Sequence, residues 1–471
     1  MSSSIHAIVD YEDEYVQPII IAALKSQLGD ACHVHTSPDT VPAKARLLQI
    51  RAYEAIDFEH GMSVPDTLMN AYVIRKALIR KHYLSNVIHQ WCAKNPDSIL
   101  KHHFMPAEDF ELDYAEFLDD ALVEAFDLRA SFENNQELEP AERQWWILKP
   151  SMSDRGQGIR LFSSEQELQE VFEEWEAQNL DDDEDDGENG EENEAMEASG
   201  SSADESASKT LSVDNHNSDD REGDYIVTSH LRHFIAQSYI HPPFLIPDRP
   251  YNNRKFHIRT YVVAAGALQV YVYSHMLALF ASETYSPPWT SLPSSTSTND
   301  EVADNDTLLQ RMRNVHLTNT CVQRSTAEKT SDGTDTDAKN VFLLSDLPLS
   351  ASTLTSLNSQ IHSTTAELFR AACASPTNFQ ALPTAFEVFG VDFLVDEPGN
   401  VSLLEVNAFP DFAQTGEMLR EKVVQGLWRG IVDVVVASHF GIKTMAAMGS
   451  EDRKAGDERM VRVLDLDMGR R

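Results

Sequence analysis

The spacing of apolar residues predicts a small α/β unit at the start of the chain. Residues 5–11 (IHAIVDY) and 45–53 (ARLLQIRAY) are mostly apolar runs with the length of a strand. Residues 15–28 (YVQPIIIAALKSQL) repeat apolar positions with the period of a helix. We expect these elements to form a small N-terminal α/β domain over residues 1–68.

Helical spacing returns further along the chain. Residues 67–94 combine apolar positions at helical spacing with a basic face, and residues 116–130 predict a second amphipathic helix. Residues 418–440 (MLREKVVQGLWRGIVDVVVASHF) predict a helix that closes the fold. We therefore place the main domain at residues 69–442, and we expect the charged residues 443–471 to form a mobile tail.

Three polar segments interrupt a series of strand-like blocks. Residues 179–222 are acidic and rich in serine, and residues 286–306 and 324–339 have a similar character. Such segments cannot bury enough apolar surface to offset the entropy lost on ordering. Because strands precede and follow them, we interpret them as disordered surface insertions rather than as domain linkers.

The chain is strongly acidic, and the charge is concentrated in one place. The formal net charge is −38 over 471 residues, with 42% hydrophobic and 24% charged residues. Residues Glu176 to Asp224 hold 19 acids and 2 bases, a net charge of −17. This balance argues against direct nucleic-acid binding, which needs a net basic face to displace counterions.

Cysteine usage and hydropathy favour a protein of the reducing cytoplasm. The cysteines have no CxxC or CxxH spacing, which argues against a zinc site and a disulfide framework. The N-terminus has no basic flank followed by an apolar stretch, and no apolar run reaches the roughly 18–20 residues of a membrane span. We expect a soluble monomer that does not bind membranes. The four cysteines are Cys32, Cys92, Cys321 and Cys373.

An apolar strand at residues 145–150 (WWILKP) delivers a lysine to a glycine-containing loop. Gly156 and Gly158 in that loop let backbone N–H groups approach a phosphate, and Lys149 at the strand end can bond phosphate oxygens. An ordinary turn after a strand accounts for the same pattern. Two interpretations also fit residues 235–240 (IAQSYI), which could form an adenine-binding hinge or an ordinary strand.

One strand pattern, at residues 254–263 (RKFHIRTYVV), places three potential cations together. With a period of two, Lys255, His257 and Arg259 share one face. Three cations on one face repel each other unless an anion lies between them, whereas a solvated edge strand would tolerate them. The run continues into a second strand pattern at residues 267–273 (ALQVYVY), which suggests a central hairpin.

Two further strand patterns, FEVFGVDFLV and VSLLEVN, are joined by a turn cluster at residues 396–400. If Asp396 pairs with Val401, antiparallel counting places Asp392 opposite Glu405, with Asn407 further along the same face. Directly opposed like charges destabilise a sheet, and a divalent cation such as Mg²⁺ would remove the repulsion. The alternative is a pair in which one acid is protonated or turned to solvent.

Taken together in the order in which they occur along the chain, these sequence blocks resemble the tubulin–tyrosine ligase-like family. The short polar block at residues 316–321 (HLTNTC) also fits the pattern, and the resemblance covers roughly residues 70–435. The resemblance implies an α/β (α+β) ATP-grasp fold, in which two lobes clamp ATP and Mg²⁺ between antiparallel sheets. It also implies a ligase that phosphorylates a peptide carboxylate and then lets an amino-acid amine attack the acyl phosphate.

The resemblance also implies roles for individual residues. Lys255 and Arg259 would face the γ-phosphate and the developing acyl phosphate, and Asp392, Glu405 and Asn407 would hold Mg²⁺. The residues implied to bind ATP are Lys81 and Lys149 on phosphate, Gln237 and Ile240 at adenine, and Thr318 and Asn319 beside the nucleotide.

Three positions depart from the family pattern. His257 replaces an aspartate, Ser238 replaces a lysine at the adenine hinge, and Leu279 replaces an arginine for the carboxylate of the incoming amino acid. A neutral leucine cannot bond a carboxylate, and burying that anion unpaired costs several kcal/mol. The ATP and Mg²⁺ apparatus is therefore largely present, whereas the amino-acid site is altered.

Two functions remain open at this stage. The first is an ATP- and Mg²⁺-dependent ligase that joins a free amino acid to the acidic tail of tubulin or of another protein. The second is a ligase-derived scaffold that retains ATP, as in a fungal branch of the family found on processing bodies in the cytoplasm. A further possibility is that the acidic insertion acts as a pseudo-substrate for its own active site.

Overall fold

A parallel sheet forms the N-terminal part of the structure, which is a computed structural model describing residues 4–151, 156–185, 232–290, 305–318, 340–445 and 459–467. The strand order is β2-β1-β3-β4. The predicted strands at residues 5–11 and 45–53 and the helix at 15–28 are confirmed. The elements are β1 (Ile5–Asp10), α1 (Gln17–Leu28), β2 (Cys32–His35), β3 (Arg46–Arg51), α2 (Phe58–Ser63) and β4 (Thr67–Met69).

This sheet packs directly onto the rest of the chain. Strand β4 spans the domain boundary proposed at residue 68, and Met69 forms a bridge to Ala385. Val9 belongs to the same buried cluster as Val263 and Trp428 from the later part of the chain. The N-terminal sheet therefore shares a hydrophobic core with the main domain.

A four-stranded antiparallel sheet with helices forms a second unit, which we call the small lobe. Its strand order is β5-β8-β6-β7, and its core contains Trp146, Phe172 and Phe234. Helices α3 (Lys76–Ile79), α4 (Lys81–Lys94) and α5 (Leu100–His103) precede this sheet in the chain and bury Leu78, Leu84 and Leu100 in a different cluster, which also contains Phe256 and Ile258. The elements of the small lobe are β5 (Ala107–Glu111), α6 (Leu118–Ala121), α7 (Phe126–Asn135), β6 (Trp146–Pro150), β7 (Arg160–Phe162), α8 (Glu165–Asp185) and β8 (His233–Ser238).

The helical pattern at residues 67–94 is only partly a helix. Its first residues form β4, paired in parallel with β3, and the long helix α4 begins at Lys81. Thr67, Leu68 and Met69 are all buried, so tertiary packing overrides the local helical spacing.

A seven-stranded sheet forms the large lobe. Its path is β12-β11-β9-β10-β15, with β13 paired to both β9 and β14. The predicted hairpin of β9 and β10 is confirmed. The elements are β9 (Arg254–Ala265), β10 (Gln269–Tyr273), β11 (Leu277–Thr284), α9 (Asn305–His316), β12 (Val341–Leu343), α10 (Ala351–Cys373), β13 (Phe386–Val395), β14 (Val401–Ala408) and β15 (Met460–Asp465).

The predicted closing helix is a continuous helical run in which α and π turns alternate. It consists of α11 (Gly416–Arg420), α12 (Gly426–Ile431) and α13 (Ala437–Phe440), joined by π turns at Glu421–Gln425 and Val432–Val436. A Cβ atom at residue 426 would collide with the Tyr273 hydroxyl, so the helix can approach β10 only because glycine stands there.

The predicted mobile tail at residues 443–471 is wrong for one segment. Residues 460–465 form β15, which pairs with β10 in antiparallel register and buries Met460 and Leu464. Charged neighbours on both sides masked this short run of alternating apolar residues in the sequence. Residues 446–458 and 468–471 lie outside the described part of the chain.

The predicted insertions also begin too early or end too late at three points. Residues 179–185 complete α8, residues 288–290 form a 3₁₀ turn, and residues 305 and 306 start α9. Local helix propensity extends the ordered elements beyond the change in composition. Residues 186–222, 291–304 and 324–339 are not among those described, and none of the described helices is long and apolar enough to cross a membrane.

The place of β15 in the large lobe leads to a stability prediction. We expect Leu464→Ala to lower the free energy of unfolding by about 2–5 kcal/mol, because its side chain is buried in the core of the large lobe. The exposed Arg462→Ala on the same strand should cost less than about 1 kcal/mol. Urea denaturation followed by circular dichroism measures both, and equal midpoints for the two variants would contradict the role of β15.

Candidate active site

A cleft with about 990 Å³ of empty space, part of it open to solvent, lies between the small-lobe sheet and the large-lobe sheet. Strands β6 and β8 form one wall, and β9, β13 and β14 form the other. Arg259 lies behind the lining, and Asn319 lies outside the described residues. The predicted site residues that line the cleft are Lys81, Lys149, Gln237, Ile240, Lys255, Thr318, Asp392, Glu405 and Asn407.

The alternation of β6 and β8 directs Lys149 and Gln237 into the cleft. Ile147 pairs with Gln237 in antiparallel register, while Trp146 and Leu148 point into the small-lobe core. The Lys149 Nζ donates a hydrogen bond of 2.7 Å to the Gln237 Oε1. Burial lowers the pKa of Lys149 to about 8. The ammonium group therefore loses its proton more readily than that of an exposed lysine, and a nearby anion would stabilise the charged form.

The predicted cationic face of β9 is present in the structure. Lys255, His257 and Arg259 lie on the face opposite Phe256 and Ile258, which pack in the large-lobe core. The three side chains are buried, so the alternative of a solvated edge strand is wrong.

Each of these cations has a different partner. The Lys255 Nζ donates to the Tyr239 hydroxyl over 3.0 Å and lies 4.3 Å from the centre of that ring. Burial, with a contribution from nearby Lys149, lowers the pKa of Lys255 to about 7. The Tyr239 hydroxyl also lies 2.8 Å from the His316 Nδ1. Sequence reasoning missed Tyr239 and His316, although both occur in the blocks that carry the family resemblance.

Arg259 forms a bidentate ion pair with Asp392, its neighbour across the sheet. The Arg259 Nε donates to the Asp392 Oδ1, and its Nη2 donates to the Oδ2 over 2.9 Å. Burial disfavours the arginine charge, but the Asp392 carboxylate outweighs burial and raises the pKa of Arg259. An arginine is thus one means of relieving the repulsion between Asp392 and Glu405, and the sequence argument did not consider it.

The hairpin of β13 and β14 places Asp392 opposite Glu405, as predicted, but by another register. Val395, rather than Asp396, pairs with Val401, so the predicted first pair is wrong by one residue. A β-bulge after Asp392 inserts Leu404 and restores the predicted opposition. Asp396 instead closes the turn, where its carboxylate accepts hydrogen bonds from Asn400.

Glu405 is surrounded by cations and amides. Burial would raise its pKa, but Lys81 and Lys149 outweigh burial and lower the pKa of Glu405 to about 2. The Lys81 Nζ lies 3.9 Å from the Glu405 carboxylate. The Asn407 Nδ2 lies 3.2 Å from Glu405 and 3.3 Å from Asp392, so Asn407 joins the two carboxylates.

The chemistry of this set fits Mg²⁺. The carboxylates of Asp392 and Glu405 and the amide of Asn407 meet on one side of the cleft. Mg²⁺ binds through one or two carboxylates and completes its shell with substrate phosphates and water. Among the described residues, no group of three or more His, Cys, Asp or Glu side chains forms a metal site by itself. These three residues therefore suit an ion that is also coordinated by the phosphates of a nucleotide better than an ion that protein side chains coordinate alone.

The three departures from the family pattern have distinct environments. Leu279 pairs with His257, so the two side chains lie on the same face of the sheet, and Leu279 is buried in an apolar cluster on that face. The His257 Nδ1 lies 2.6 Å from the Thr318 hydroxyl, while its buried Nε2 has no hydrogen-bond partner among the described residues and lies 3.6 Å from Asp392. The Ser238 hydroxyl accepts a hydrogen bond of 3.2 Å from the Gln144 Nε2.

Comparison with known proteins decides the family. A model of the tubulin-tyrosine ligase family matches residues 62–443, which is most of the chain. The chain belongs to this family. Its relatives include a probable tubulin–tyrosine ligase of Schizosaccharomyces pombe, which is 37% identical over 447 residues and covers 94% of each chain.

A second relative is the probable tubulin–tyrosine ligase PBY1 of Saccharomyces cerevisiae. It is 38% identical over 421 residues, which cover 87% of this chain and 49% of that protein. The present family member therefore spans about half the length of this relative.

A solved structure establishes the fold. The C-terminal domain of K. lactis Pby1, described as an ATP-grasp enzyme interacting with the mRNA decapping enzyme Dcp2, superposes with a TM-score of 0.64 at 31% identity. The match covers 98% of this chain and 99% of that domain. The predicted ATP-grasp fold is confirmed.

The buried pair of Arg259 and Asp392 can be tested through stability. Arg259→Leu leaves the Asp392 carboxylate buried without its main partner, and we expect it to lower the free energy of unfolding by about 3–5 kcal/mol. The double variant Arg259→Leu/Asp392→Leu should lose much less, because an apolar pair can replace a buried ion pair. Urea unfolding compares them, and equal losses would show that the two residues do not act as a pair.

Proposed function

We propose that this chain is an ATP- and Mg²⁺-dependent ligase that forms an amide bond between an amino acid and a protein carboxylate. The observation that carries the proposal is the meeting of three lysines with an Asp–Glu–Asn set in one cleft of an ATP-grasp fold. Cations and a carboxylate metal site together are what phosphoryl transfer requires, since that reaction depends mainly on positioning and charge neutralisation.

The small-lobe wall is proposed to bind the nucleotide. Lys149, held by Gln237, and Lys81 at the start of α4 would bond phosphate oxygens. Gln237 and Ile240 would line the adenine pocket, and Thr318 with Asn319 would lie beside the nucleotide. The last of these assignments rests on the family resemblance.

The large-lobe wall is proposed to carry the chemistry. Asp392, Glu405 and Asn407 would hold Mg²⁺, which when bound supplies positive charge beside the transferred phosphoryl group. Lys255 would contact the same group, and Arg259 would act by fixing the Asp392 carboxylate. The acceptor carboxylate would take the γ-phosphoryl group of ATP to become an acyl phosphate. The amine of the amino acid would then attack its carbonyl carbon and release phosphate.

The acceptor and the amino acid are proposed only by class. The acceptor would be an acidic tail, either of tubulin or of another protein. Leu279 offers no charge to the carboxylate of an incoming amino acid, and its side chain is buried on the face of the sheet that His257 shares. We therefore propose that this chain recognises the amino acid differently from the tyrosine ligases of the family.

A ligase-derived scaffold is the second candidate. Two points favour it: the apolar Leu279 where the family resemblance implies an arginine for the amino acid, and the interaction of K. lactis Pby1 with a decapping enzyme. Such a protein would bind ATP without ligating an amino acid and would act in the cytoplasm at processing bodies. ATP-dependent incorporation of a labelled amino acid into an acidic acceptor separates the two candidates, because the scaffold would show none.

Mg²⁺-dependent binding of ATP tests the site directly. We expect calorimetry to detect ATP binding to the wild type only when Mg²⁺ is present. Glu405→Gln should weaken it at least about tenfold, because the set loses one of its two carboxylates. The matched control Glu397→Gln lies in the exposed turn of the same hairpin and should bind as the wild type does. A wild type that binds no ATP with any divalent metal would refute both the ligase and the ATP-binding scaffold.

Proton uptake provides a second test of the same site. Lys255 and Lys149 have lowered pKa values of about 7 and about 8 in the free protein, and a bound phosphate should raise both. The affinity for ATP should therefore be highest below pH 7 and fall as the pH rises through these values. At pH 8 we expect uptake of about 1.4 protons per ATP bound, because roughly nine-tenths of Lys255 and half of Lys149 are unprotonated before binding.

Calorimetry in two buffers with different ionisation enthalpies measures this uptake. Lys255→Met should reduce it, whereas Lys25→Met on the exposed face of α1 should leave it unchanged. If wild-type binding took up no proton at pH 8, neither lysine would approach the phosphates.

A further inference from the structure

The outer surface of the small lobe carries an unusual group of exposed apolar side chains. Among the described residues, seven large apolar side chains are exposed, and four of them lie between residues 114 and 126. Phe126 is 72% exposed and Tyr114 is 57% exposed. We call this group the outer patch; its members are Tyr114, Phe117, Val123 and Phe126.

The core of the small lobe does not account for the outer patch. The same segment already supplies a complete inner face, in which Leu118, Leu122 and Leu128 are buried. An ordinary amphipathic segment has polar residues on its other face. Single exposed apolar residues are normal, but a group of them marks an interaction site.

The outer patch lies on a series of short helical elements. A 3₁₀ turn at Ala115–Phe117, α6 and the start of α7 follow one another with few intervening residues. The helix predicted over residues 116–130 is therefore divided in two, with the break between Ala121 and Phe126. The rings of Tyr114 and Phe117 lie 6.2 Å apart and meet edge to face, so they form one joint surface.

The surroundings of the outer patch are mainly acidic. Residues 111–129 contain seven acids and one base, the exposed Arg129. Asp113 has a basic partner in Arg232 at 3.0 Å, and Glu111 lies 3.5 Å from His233. Further along, contact with Asp119 raises the pKa of the Glu165 carboxyl, which reflects an excess of carboxylates. The remaining acids are Glu116, Asp120, Glu124 and Asp127.

This charge determines which occupant fits. The acidic segment at residues 176–224 continues from α8, and α8 packs against the 3₁₀ turn of the patch. That segment has a net charge of −17, so the acidic rim would repel it. A second copy of the patch would be repelled for the same reason. A basic ligand would gain both apolar contact and charge complementarity.

We propose that the outer patch docks a basic amphipathic helix of a partner protein. The helix would place aromatic or aliphatic side chains at positions i, i+3 or i+4, and i+7 against Phe117 and Phe126, with lysine or arginine facing the acidic rim. No patch residue lines the ATP cleft, so this interaction is independent of the proposed function.

Peptide selection on the full chain tests the proposal. The probe is a phage-displayed library of random 16-residue peptides, selected on the wild type and then counter-selected on Phe117→Ser/Phe126→Ser. The enriched peptides should be basic with apolar residues at helical spacing. Their affinity, measured by fluorescence anisotropy, should fall at least about tenfold in the double variant.

Matched variants separate docking from general attraction to an acidic protein. Met62→Ser, which removes an exposed apolar side chain elsewhere, should bind the peptides normally, whereas Asp119→Lys/Asp120→Lys should bind them weakly. All variants should keep the wild-type unfolding midpoint and ATP affinity. The proposal is overturned if no enriched peptide depends on Phe117 and Phe126, if the enriched peptides are acidic, or if the patch variants change self-association instead.

Discussion

The site depends on the ion pair between Arg259 and Asp392, which joins the two strands at the centre of the large lobe. Arg259 lies on β9 and Asp392 on β13, directly opposite in register, and both side chains are buried. Because the arginine donates to both carboxylate oxygens, Asp392 is fixed in position, and Asn407 links it to Glu405. Gly390 makes room for this arrangement, since a Cβ atom there would lie 3.3 Å from the Arg259 Cδ.

The cleft contains two groups of charged side chains, buried lysines and ionised carboxylates, which differ in how strongly they keep their charge. Burial keeps Lys149 and Lys255 close to losing their protons, whereas the surrounding cations keep Glu405 ionised well below neutral pH. Lysines that are destabilised by burial gain most from a ligand with phosphate oxygens. Fixed carboxylates gain most from a divalent cation. A nucleotide with its metal would satisfy both groups at once, whereas either component alone would satisfy only one.

Local periodicity predicted much of this site, and non-local packing set the rest. The period of two placed Lys255, His257 and Arg259 on one face, and counting along the hairpin placed Asp392 opposite Glu405. The bulge at Leu404 could not be predicted. Pairing Val395 with Val401 shifts the register by one residue and the bulge shifts it back, so Asp392 and Glu405 are opposed with or without both shifts. The partner of Arg259 lies 133 residues away, in a strand whose neighbours the sequence did not reveal. For the same reason β15 was missed, because its pairing with β10 is visible only in the fold.

Leu279 and the outer patch bear on the two proposals made for this family member, one about amino-acid ligation and one about partner binding. Under the proposed function the leucine removes a charge from the amino-acid site, but it leaves the sheet intact, because its side chain packs with Val341 and Leu343. A nucleotide site can therefore persist while amino-acid recognition changes. The patch lies on the lobe that supplies Lys149 and Gln237, and α7 shares the small-lobe core with β6. No patch residue lines the cleft, so a docked partner and a bound nucleotide would share no residue, and one molecule could hold both.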